Sequence, residues 1–331
     1  MNIIVTGGAG YIGLITAYLL SKSGFRVGII DNLENNHKSL ILKNTAFFKG
    51  NILNKKFLEG TFKIFLPEVI FHFASYTSIK ESFLRPLDYY NNNVVGSYSL
   101  FSVALKYNVN NIIFSSSAAV YGKTKNARID ETNLTEPVNP YGETKLAVEK
   151  MLKWLSGTYN FQTICLRYFN VAGAMLDGSF EKKSISETHL IPNIINNALA
   201  NKEVLINGNN YNTPDGTCIR DYIHVLDLAN VNLLALKSIL KRQNSLQTIY
   251  NVGSGKGYSN KEIVEATANI IGRKIKIKYI KPRKGDPPIL VANPTKIKNE
   301  LGFQSKYSDL NTIIKSQLNC YLLEAGAVKV K

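Results

Sequence analysis

The chain has 331 residues, 45% hydrophobic and 19% charged, a mixture that fills one large or two modest cores and excludes whole-chain disorder. No apolar run reaches the roughly 18 residues that span a bilayer, and the N-terminus begins a strand pattern instead of a secretory signal, so we expect no membrane association. The net charge of +16 suits either a nucleic acid or membrane surface, or a small anionic substrate. Because the lysines are spread along the chain as a solvated surface would have them, we expect no nucleic-acid partner.

The cysteines and histidines carry little pattern. The three cysteines are far apart and fit neither a disulfide framework nor metal-ligand spacing, so we expect a reducing, cytoplasmic location. The four histidines also lack paired ligand spacing, so we expect no metal. These residues are Cys165, Cys218 and Cys320, and His37, His72, His189 and His224.

The first half of the chain alternates apolar strand patterns with helical ones. The predicted strands are 2–6, 26–31, 68–74, 111–115 and 163–167, and the clearest predicted helices are 11–22, 91–107 and 141–154. This alternation implies parallel strands joined by helical crossovers. We therefore predict an α/β fold with a Rossmann-type, doubly wound parallel sheet that binds ligands at the carboxyl ends of its strands.

After about residue 170 the alternation weakens, and glycine, asparagine and proline become frequent. Shorter helices are predicted at 190–201 and 261–271, and a strand carries Lys274, Lys276 and Lys278 on one solvated face. We expect a dinucleotide-binding domain at 1–170, to which some later segments return, and a smaller mixed α/β substrate lobe at 171–331.

The first strand runs into TGGAGYIG, a glycine-rich turn. Gly7, Gly8, Gly10 and Gly13 allow a tight turn and a close approach to a pyrophosphate, and the following helix offers free N–H groups. Asp31 ends the next strand, where a carboxylate accepts from a ribose 2′-hydroxyl and repels a 2′-phosphate. The pattern predicts NAD in preference to NADP.

PYGETK places Tyr141 and Lys145 four residues apart, on one face of a helix. Residues 115–117 are serines at the end of a predicted strand, where such sheets bind ligands. A tyrosine has a reference pKa of about 10, and a nearby ammonium and a positive nicotinamide both favour its phenolate. Since a serine there can bond a substrate oxygen, we predict hydride chemistry with Tyr141, Lys145 and one of these three serines as the catalytic group.

Several motifs together resemble the extended short-chain dehydrogenase/reductases, and among them the UDP-glucose 4-epimerases. The resemblance runs from Asn2 to beyond Pro294. Its motifs are TGGAGYIG, Asp31-Asn32, SSSAAVYG, YGETK, RYFNVAG, DGTCIRDYIHV at 215–225 and PRKGDPP at 282–288.

The resemblance implies two sets of binding residues around the catalytic group. Those implied for NAD, with the glycines of the turn, are Gly7, Gly10, Tyr11, Ile12, Gly13, Asp31, Asn32, Asn35, Asn51, Ile52, Phe73, Ala74, Asn92, Lys145 and Phe169. Those implied for a UDP-sugar are Ser117, Tyr141, Asn170, His189, Leu190, Leu205, Ile206, Asn207, Arg220, Arg283, Asp286 and Leu290.

Four positions depart from the family pattern. Thr77 replaces a lysine that some members place near the cofactor. Asn51 stands where the family often has Asp, and His189 where some members have Asn. Leu290 stands where some members have a bulky aromatic residue at the pocket wall, so a 2-acetamido group has more room here. The choice between UDP-glucose and UDP-N-acetylglucosamine remains open.

The resemblance implies NAD-dependent C4 epimerisation of a UDP-hexose through a 4-keto intermediate, by a homodimer joined through helices that include 98–105 and 141–154. A 4,6-dehydratase would need an acid and a base after the active-site serine, where this chain has Ala118 and Ala119. A UDP-glucuronate epimerase or decarboxylase is not excluded. A non-catalytic NAD-binding regulator is disfavoured because Ser117, Tyr141 and Lys145 are all present.

Overall fold

The computed structural model describes residues 1–35, 42–123, 128–178, 189–241, 246–283 and 286–324. His37, residues 284–285 of the basic motif and the last seven residues lie outside these ranges.

The described chain alternates strands and helices along most of its length. The strands are β1 (Asn2–Thr6), β2 (Arg26–Asp31), β3 (Ala46–Lys49), β4 (Val69–His72), β5 (Asn111–Ser117), β6 (Gln162–Tyr168), β7 (Asn170–Ala172), β8 (Val204–Asn207), β9 (Ile219–His224), β10 (Gln247–Val252), β11 (Gly257–Ser259), β12 (Ile277–Ile280) and β13 (Ile289–Leu290). The α-helices are α1 (Tyr11–Lys22), α2 (Lys55–Phe65), α3 (Ile79–Leu84), α4 (Pro86–Tyr89), α5 (Gly96–Lys106), α6 (Pro140–Tyr159), α7 (Leu190–Leu199), α8 (Val225–Ile239), α9 (Asn260–Ile271), α10 (Thr295–Leu301) and α11 (Leu310–Glu324).

Seven parallel strands form the main sheet, in the order β10-β6-β5-β4-β1-β2-β3. Alternate residues of β1 face opposite layers: Ile3 and Val5 pack with α1 and α8, whereas Ile4 packs with α2 and α5. Both faces of the sheet are covered, which explains the continuous apolar runs of its strands. The predicted doubly wound Rossmann-type sheet is confirmed.

A second layer of structure follows β6. In it β9 pairs in parallel with β7 and β13 and antiparallel with β11, while β8 and β12 form a separate parallel pair. Helices α7, α9 and α11 enclose an apolar core between these strands. The chain also returns to the main sheet, because β10 pairs with β6 along its whole length and α8 packs on α1.

Some elements differ in extent from the prediction, and others were not predicted. The predicted helix 91–107 begins as a π-helical segment, Tyr90–Val95, before α5. The prediction of a strand with three lysines was wrong for two of them, since Lys274 and Lys276 precede β12 and only Lys278 lies on it. That strand is limited by its partner, because β8 offers only the four residues Val204–Asn207 for pairing. Strand β3 and helices α2 and α8 were not predicted.

Across the part of the chain that the structure describes, helices fall short of the length and apolarity needed to cross a bilayer.

Candidate active site

The glycine turn lies at the carboxyl edge of the main sheet, between β1 and β4. Gly7 has φ of +68°, and a Cβ there would lie 2.6 Å from the backbone nitrogen of Ala74. A Cβ on Gly13 would overlap the carbonyl oxygen of Gly7. Only glycine allows these backbones to approach so closely. The turn therefore passes directly over the end of β4 and aims the start of α1 at the point where strand order reverses, the ligand crevice of such sheets.

The first turn of α1 is suited to an anion. Its N-cap is Gly10, and within the described residues no side chain hydrogen-bonds to cap it. The free N–H groups and the positive end of the helix dipole thus face the crevice.

Asp31 ties the glycine turn to the end of β2. Its carboxylate is 5% exposed and accepts hydrogen bonds from the backbone N–H of Ala9 at 3.1 Å and of Leu33 at 2.8 Å. A fixed carboxylate beside an anion-binding helix end has the donors and acceptors that a ribose and a pyrophosphate require. These residues fit NAD.

The other residues predicted to bind the cofactor also lie near this edge of the sheet. Asn32 follows β2, and the Asn51 carboxamide accepts from the N–H of Leu53 at 2.9 Å in the loop after β3. Asn35 lies farther along its loop and is exposed. The remainder are Ile52 after β3, Phe73 and Ala74 after β4, Asn92 in the π-helical segment, and Phe169 after β6.

The catalytic group is assembled by the end of β5 and the start of α6. Asn139 caps α6 by accepting from the N–H of Gly142 at 2.8 Å. This begins the helix directly before Tyr141, so Tyr141 and Lys145 lie one turn apart against β5. The Lys145 ammonium donates to the carbonyl oxygen of Ser115 at 2.8 Å, and the Ser117 hydroxyl is near enough to the Tyr141 phenol to lower its pKa. The structure thus brings the three predicted catalytic residues together.

Burial controls the protonation of this group. It raises the pKa of Tyr141, while the hydrogen bond from Ser117 opposes that rise. Burial lowers the pKa of Lys145 to about 7, and the negative charge of Glu149 opposes the change. Beneath them, burial and the charge of Lys145 lower the pKa of His72 to about 3. His72 is therefore neutral, held between the hydroxyls of Thr6 at 2.7 Å and Ser97 at 2.8 Å.

Apart from Ser117 and Tyr141, the predicted substrate residues lie in the part of the chain that follows β6. On β9, Arg220 is ion-paired with Asp286 at 3.4 Å, and both are partly exposed. Asp286 bonds through its backbone N–H to the carbonyl oxygen of Arg283, whose side chain is exposed. Asn170 donates to the backbone carbonyl of Asp221 at 3.3 Å. Two arginines and a carboxylate are thus gathered at one place, as recognition of a nucleoside diphosphate requires.

The remaining substrate positions vary in exposure. His189 is the N-cap of α7 and Leu190 its first residue. On β8, Leu205 is exposed, whereas Ile206 is 1% exposed and packs in the core of the smaller lobe. Only the backbone of Ile206 can therefore face a ligand; Asn207 ends the strand and is partly buried.

Leu290 packs at the wall between the lobes. It contacts the apolar cluster that contains Ala118 and Phe169, the neighbours of Ser117 and Asn170.

Two charged groups near the site were not predicted. Glu149, one turn after Lys145, forms a buried ion pair with Arg167 of β6. Asp221, beside Arg220, is fully buried and accepts from the backbone of the loop after β10. The signal for the first was available, because a charged residue within the apolar strand TICLRY needs a buried partner.

Residues 3–253 match the model of the NAD dependent epimerase/dehydratase family. The chain belongs to this family. A relative from Halalkalibacterium halodurans described as UDP-glucose 4-epimerase is 41% identical over 320 residues, which cover 96% of this chain and 95% of that one.

Solved structures extend the likeness to the whole fold. The UDP-glucose 4-epimerase from Brucella ovis in complex with NAD has a TM-score of 0.90 and 40% identity, covering 96% of this chain and 97% of that one. The UDP-Glc/GlcNAc 4-epimerase from Campylobacter jejuni has a TM-score of 0.83 and 35% identity, covering 96% and 98%.

Proposed function

We propose that this member of the family is an isomerase that interconverts C4 epimers of a UDP-hexose with bound NAD. The observation that carries the proposal is the group of Ser117 with the buried Tyr141 and Lys145, which lies at the same sheet edge as an uncapped helix start and a buried Asp31. Its relatives from Halalkalibacterium halodurans and Brucella ovis are UDP-glucose 4-epimerases, and the latter is in complex with NAD.

Each residue of the catalytic group has its own role in the reaction. Tyr141 takes the proton of the sugar 4-hydroxyl, directly or through Ser117, and returns it after inversion. Lys145 holds the nicotinamide ribose and favours the phenolate of Tyr141 by its charge. When bound, NAD supplies the hydride acceptor and donor for C4 and a positive ring that also favours the phenolate.

Inversion requires that the nucleotide stay bound while the sugar turns. Arg220 and Arg283 hold the diphosphate through charge-assisted hydrogen bonds, and Asp286 accepts from the ribose hydroxyls. The 4-keto sugar then rotates about its diphosphate link and presents its other face to the same cofactor. Because Ala118 and Ala119 follow Ser117, nothing on this segment acts as acid or base for elimination at C5–C6.

The experiment is incubation of the purified protein with UDP-galactose, followed by NMR detection of UDP-glucose. We expect interconversion to equilibrium without net formation of NADH. Tyr141→Phe should keep its NAD and lose turnover by about a hundredfold or more, since a positioned general base contributes that much. A Phe variant with nearly normal turnover excludes Tyr141 as the base, and net oxidation of the sugar would show a dehydrogenase instead.

A second substrate class is favoured by Leu290. This side chain packs beside the cluster that flanks Ser117, and a leucine there leaves more space than an aromatic ring. The structural relative from Campylobacter jejuni is a UDP-Glc/GlcNAc 4-epimerase. We therefore propose that UDP-N-acetylglucosamine is also a substrate, to be tested beside UDP-glucose with one preparation.

The proposal extends to organisation and location. We assign residues 1–170, together with α8 and β10, to the NAD-binding domain, and the rest of 171–331 to the UDP-sugar lobe. The three cysteines are buried and form no disulfide among the described residues, as in a protein of the reducing cytoplasm.

A homodimer through α5 and α6 is supported by exposed apolar side chains on this side of the sheet. Tyr98 and Trp154 are 53% and 75% exposed, and Leu84 and Leu87 are more than 70% exposed. Sedimentation equilibrium should give twice the chain mass, and Trp154→Glu should reduce it to one chain. A monomeric wild-type protein contradicts the assignment.

A further inference from the structure

A buried ion pair lies directly behind the catalytic group and has no part in the proton transfer. The Glu149 carboxylate accepts from Nε of Arg167 at 2.9 Å and from its Nη2 at 2.7 Å. The side chains are 3% and 4% exposed. Burying two charges costs several kcal/mol each, so replacing such a pair by apolar residues is often neutral or stabilising. Stability alone therefore does not explain why these charges are here.

The pair is the centre of a connected polar network. Nη1 of Arg167 donates to the Tyr121 hydroxyl at 2.8 Å, and that hydroxyl donates to the Asn251 carboxamide at 2.7 Å. The backbone carbonyl of Glu149 accepts from the Gln247 side chain at 2.6 Å. The network thus joins α6 to β6 and β10. A buried network whose members are mutually bonded is stiff, because each group would lose its partner on moving.

Three consecutive serines connect this network to the catalytic group. The Ser115 carbonyl accepts from the Lys145 ammonium, and the Ser117 hydroxyl is near enough to the Tyr141 phenol to lower its pKa. Between them, the Ser116 hydroxyl donates to the Glu149 carboxylate. Ser116 therefore ties the end of β5 to the carboxylate that Arg167 holds.

The three partners of these serines also follow one another, at regular intervals on the helix. Tyr141, Lys145 and Glu149 are four residues apart and therefore lie along one face of α6. Each of them meets one of the three serines of β5. If the contact between Ser116 and Glu149 is lost, the strand end can move relative to α6, and the other two contacts loosen with it.

We propose that Glu149, clamped by Arg167, is a positioning residue that holds Ser116 and so fixes the end of β5 against the catalytic face of α6. This inference rests on the proposed function for its kinetic readout. It assigns to the pair a role in geometry, since the buried Glu149 carboxylate is engaged by Arg167 and Ser116.

Ser116→Ala is the decisive variant because it removes the tie and leaves every charge in place. The titratable groups around Tyr141 and Lys145 are His72 on β4 and Glu149 on α6, and both remain. We expect kcat for UDP-galactose to fall about tenfold, the worth of one hydrogen bond to a charged group, with KM unchanged within about twofold. The pKa of the Tyr141 phenol should rise, because Ser117 then holds it less well.

Ser156→Ala is the matched control. Ser156 is also a buried serine of α6, bonded to the Thr163 hydroxyl of β6 at 3.0 Å, but it lies farther along the helix from the site. It should leave both kcat and the pKa of the Tyr141 phenol unchanged. The phenol is titrated by absorbance, as the difference between each protein and its counterpart carrying Tyr141→Phe.

A second variant separates geometry from charge. Arg167→Lys keeps the positive charge beside Glu149 but cannot bond both carboxylate oxygens. We expect the same loss of kcat as for Ser116→Ala, in a protein whose circular dichroism matches that of the wild type. Nearly normal kcat in Arg167→Lys would show that charge suffices and would overturn the proposal.

The experiments distinguish failure of the proposed function from failure of the positioning role. If the wild-type protein does not interconvert UDP-sugars, the proposed function fails, and the phenol titration decides the positioning role without a substrate. A rise in the pKa of Tyr141 in Ser116→Ala but not in Ser156→Ala supports the role. Equal behaviour of the two serine variants overturns it.

Discussion

The Asp221 carboxylate joins the two parts of the molecule, and replacing it by asparagine should weaken that junction. One carboxylate oxygen accepts from the N–H of Ser254 at 2.8 Å and from its hydroxyl at 2.7 Å. The other accepts from the N–H groups of Gly255 at 2.9 Å and Ala292 at 3.1 Å. The loop that contains Ser254 and Gly255 follows β10 of the main sheet, whereas Asp221 lies on β9 of the smaller lobe.

The size of the effect follows from these four contacts. Asparagine can keep its carbonyl oxygen toward Ser254, but its amide group then points donors at the N–H groups of Gly255 and Ala292. Each buried N–H that loses its acceptor costs about 1–3 kcal/mol, or about 2–6 kcal/mol for the two. Part of this is offset because burial raises the pKa of Asp221, which shows that the charge is itself disfavoured. We expect Asp221→Asn to lower the free energy of unfolding by about 3 kcal/mol.

The assay is urea unfolding followed by circular dichroism, with Asp88→Asn as the control. Asp88 accepts from Nε of Arg85 at 2.6 Å, and both side chains are more than half exposed. An exposed pair of this kind contributes little to stability because water screens it, so the control should unfold close to the wild type. Because Arg220 neighbours Asp221, KM for the UDP-sugar should also rise more than kcat falls.

A companion variant perturbs the same contact from the other side. A Cβ on Gly253 would lie 2.5 Å from Oδ2 of Asp221, so Gly253→Ala should push the carboxylate off its two N–H donors. It too should be destabilised. The reasoning is refuted if Asp221→Asn unfolds as close to the wild type as is expected of Asp88→Asn.

Three further outcomes are expected. Leu290→Tyr should cut turnover of UDP-N-acetylglucosamine about tenfold more than that of UDP-glucose, and equal loss of both would exclude a steric gate. Titration of the NAD-free protein should show tighter binding of NAD than of NADP, and the reverse preference would contradict the repulsion assigned to Asp31. His72 stays neutral in the folded protein down to about pH 3, whereas an unfolded histidine gains a proton below about pH 6.5. The free energy of unfolding should therefore fall as the pH is lowered from about 6.5 toward about 3, by up to about 1.4 kcal/mol per pH unit. Urea unfolding of His72→Gln should lack this contribution.

Local patterns sufficed for the elements that build the main sheet. The apolar run of β1, the glycine turn and the periodicity of α1 lie next to one another in the chain, so each supports the prediction of the next. The end of β5 and the start of α6 were also predictable, since Ser117, Tyr141 and Lys145 carry motifs whose roles are defined by their chemistry. In contrast, the pairing of β10 with β6 joins residues about eighty positions apart, and a short apolar segment does not indicate which strand it will meet.

The buried charges were missed for a different reason. Asp221 is held by backbone N–H groups of residues 254, 255 and 292, and backbone donors leave no mark in a sequence. The exposure of the residues expected to bind substrate was not predictable: Ile206 and Leu205 are neighbours on β8, and one is buried while the other is exposed. That difference depends on which face of a two-stranded pair the helices cover.

Arg167 shows how a sequence could have revealed the network behind the catalytic group. It stands within a strand whose neighbours are all buried, where an unpaired guanidinium would cost far more than folding can supply. A buried acid must therefore exist, and it must reach the strand beside β5. On α6, the helix that already presents Tyr141 and Lys145 to β5, the next residue of the same face is Glu149. The requirement to neutralise Arg167 and the spacing of the catalytic face thus select the same carboxylate, which is the one that the structure places against Ser116.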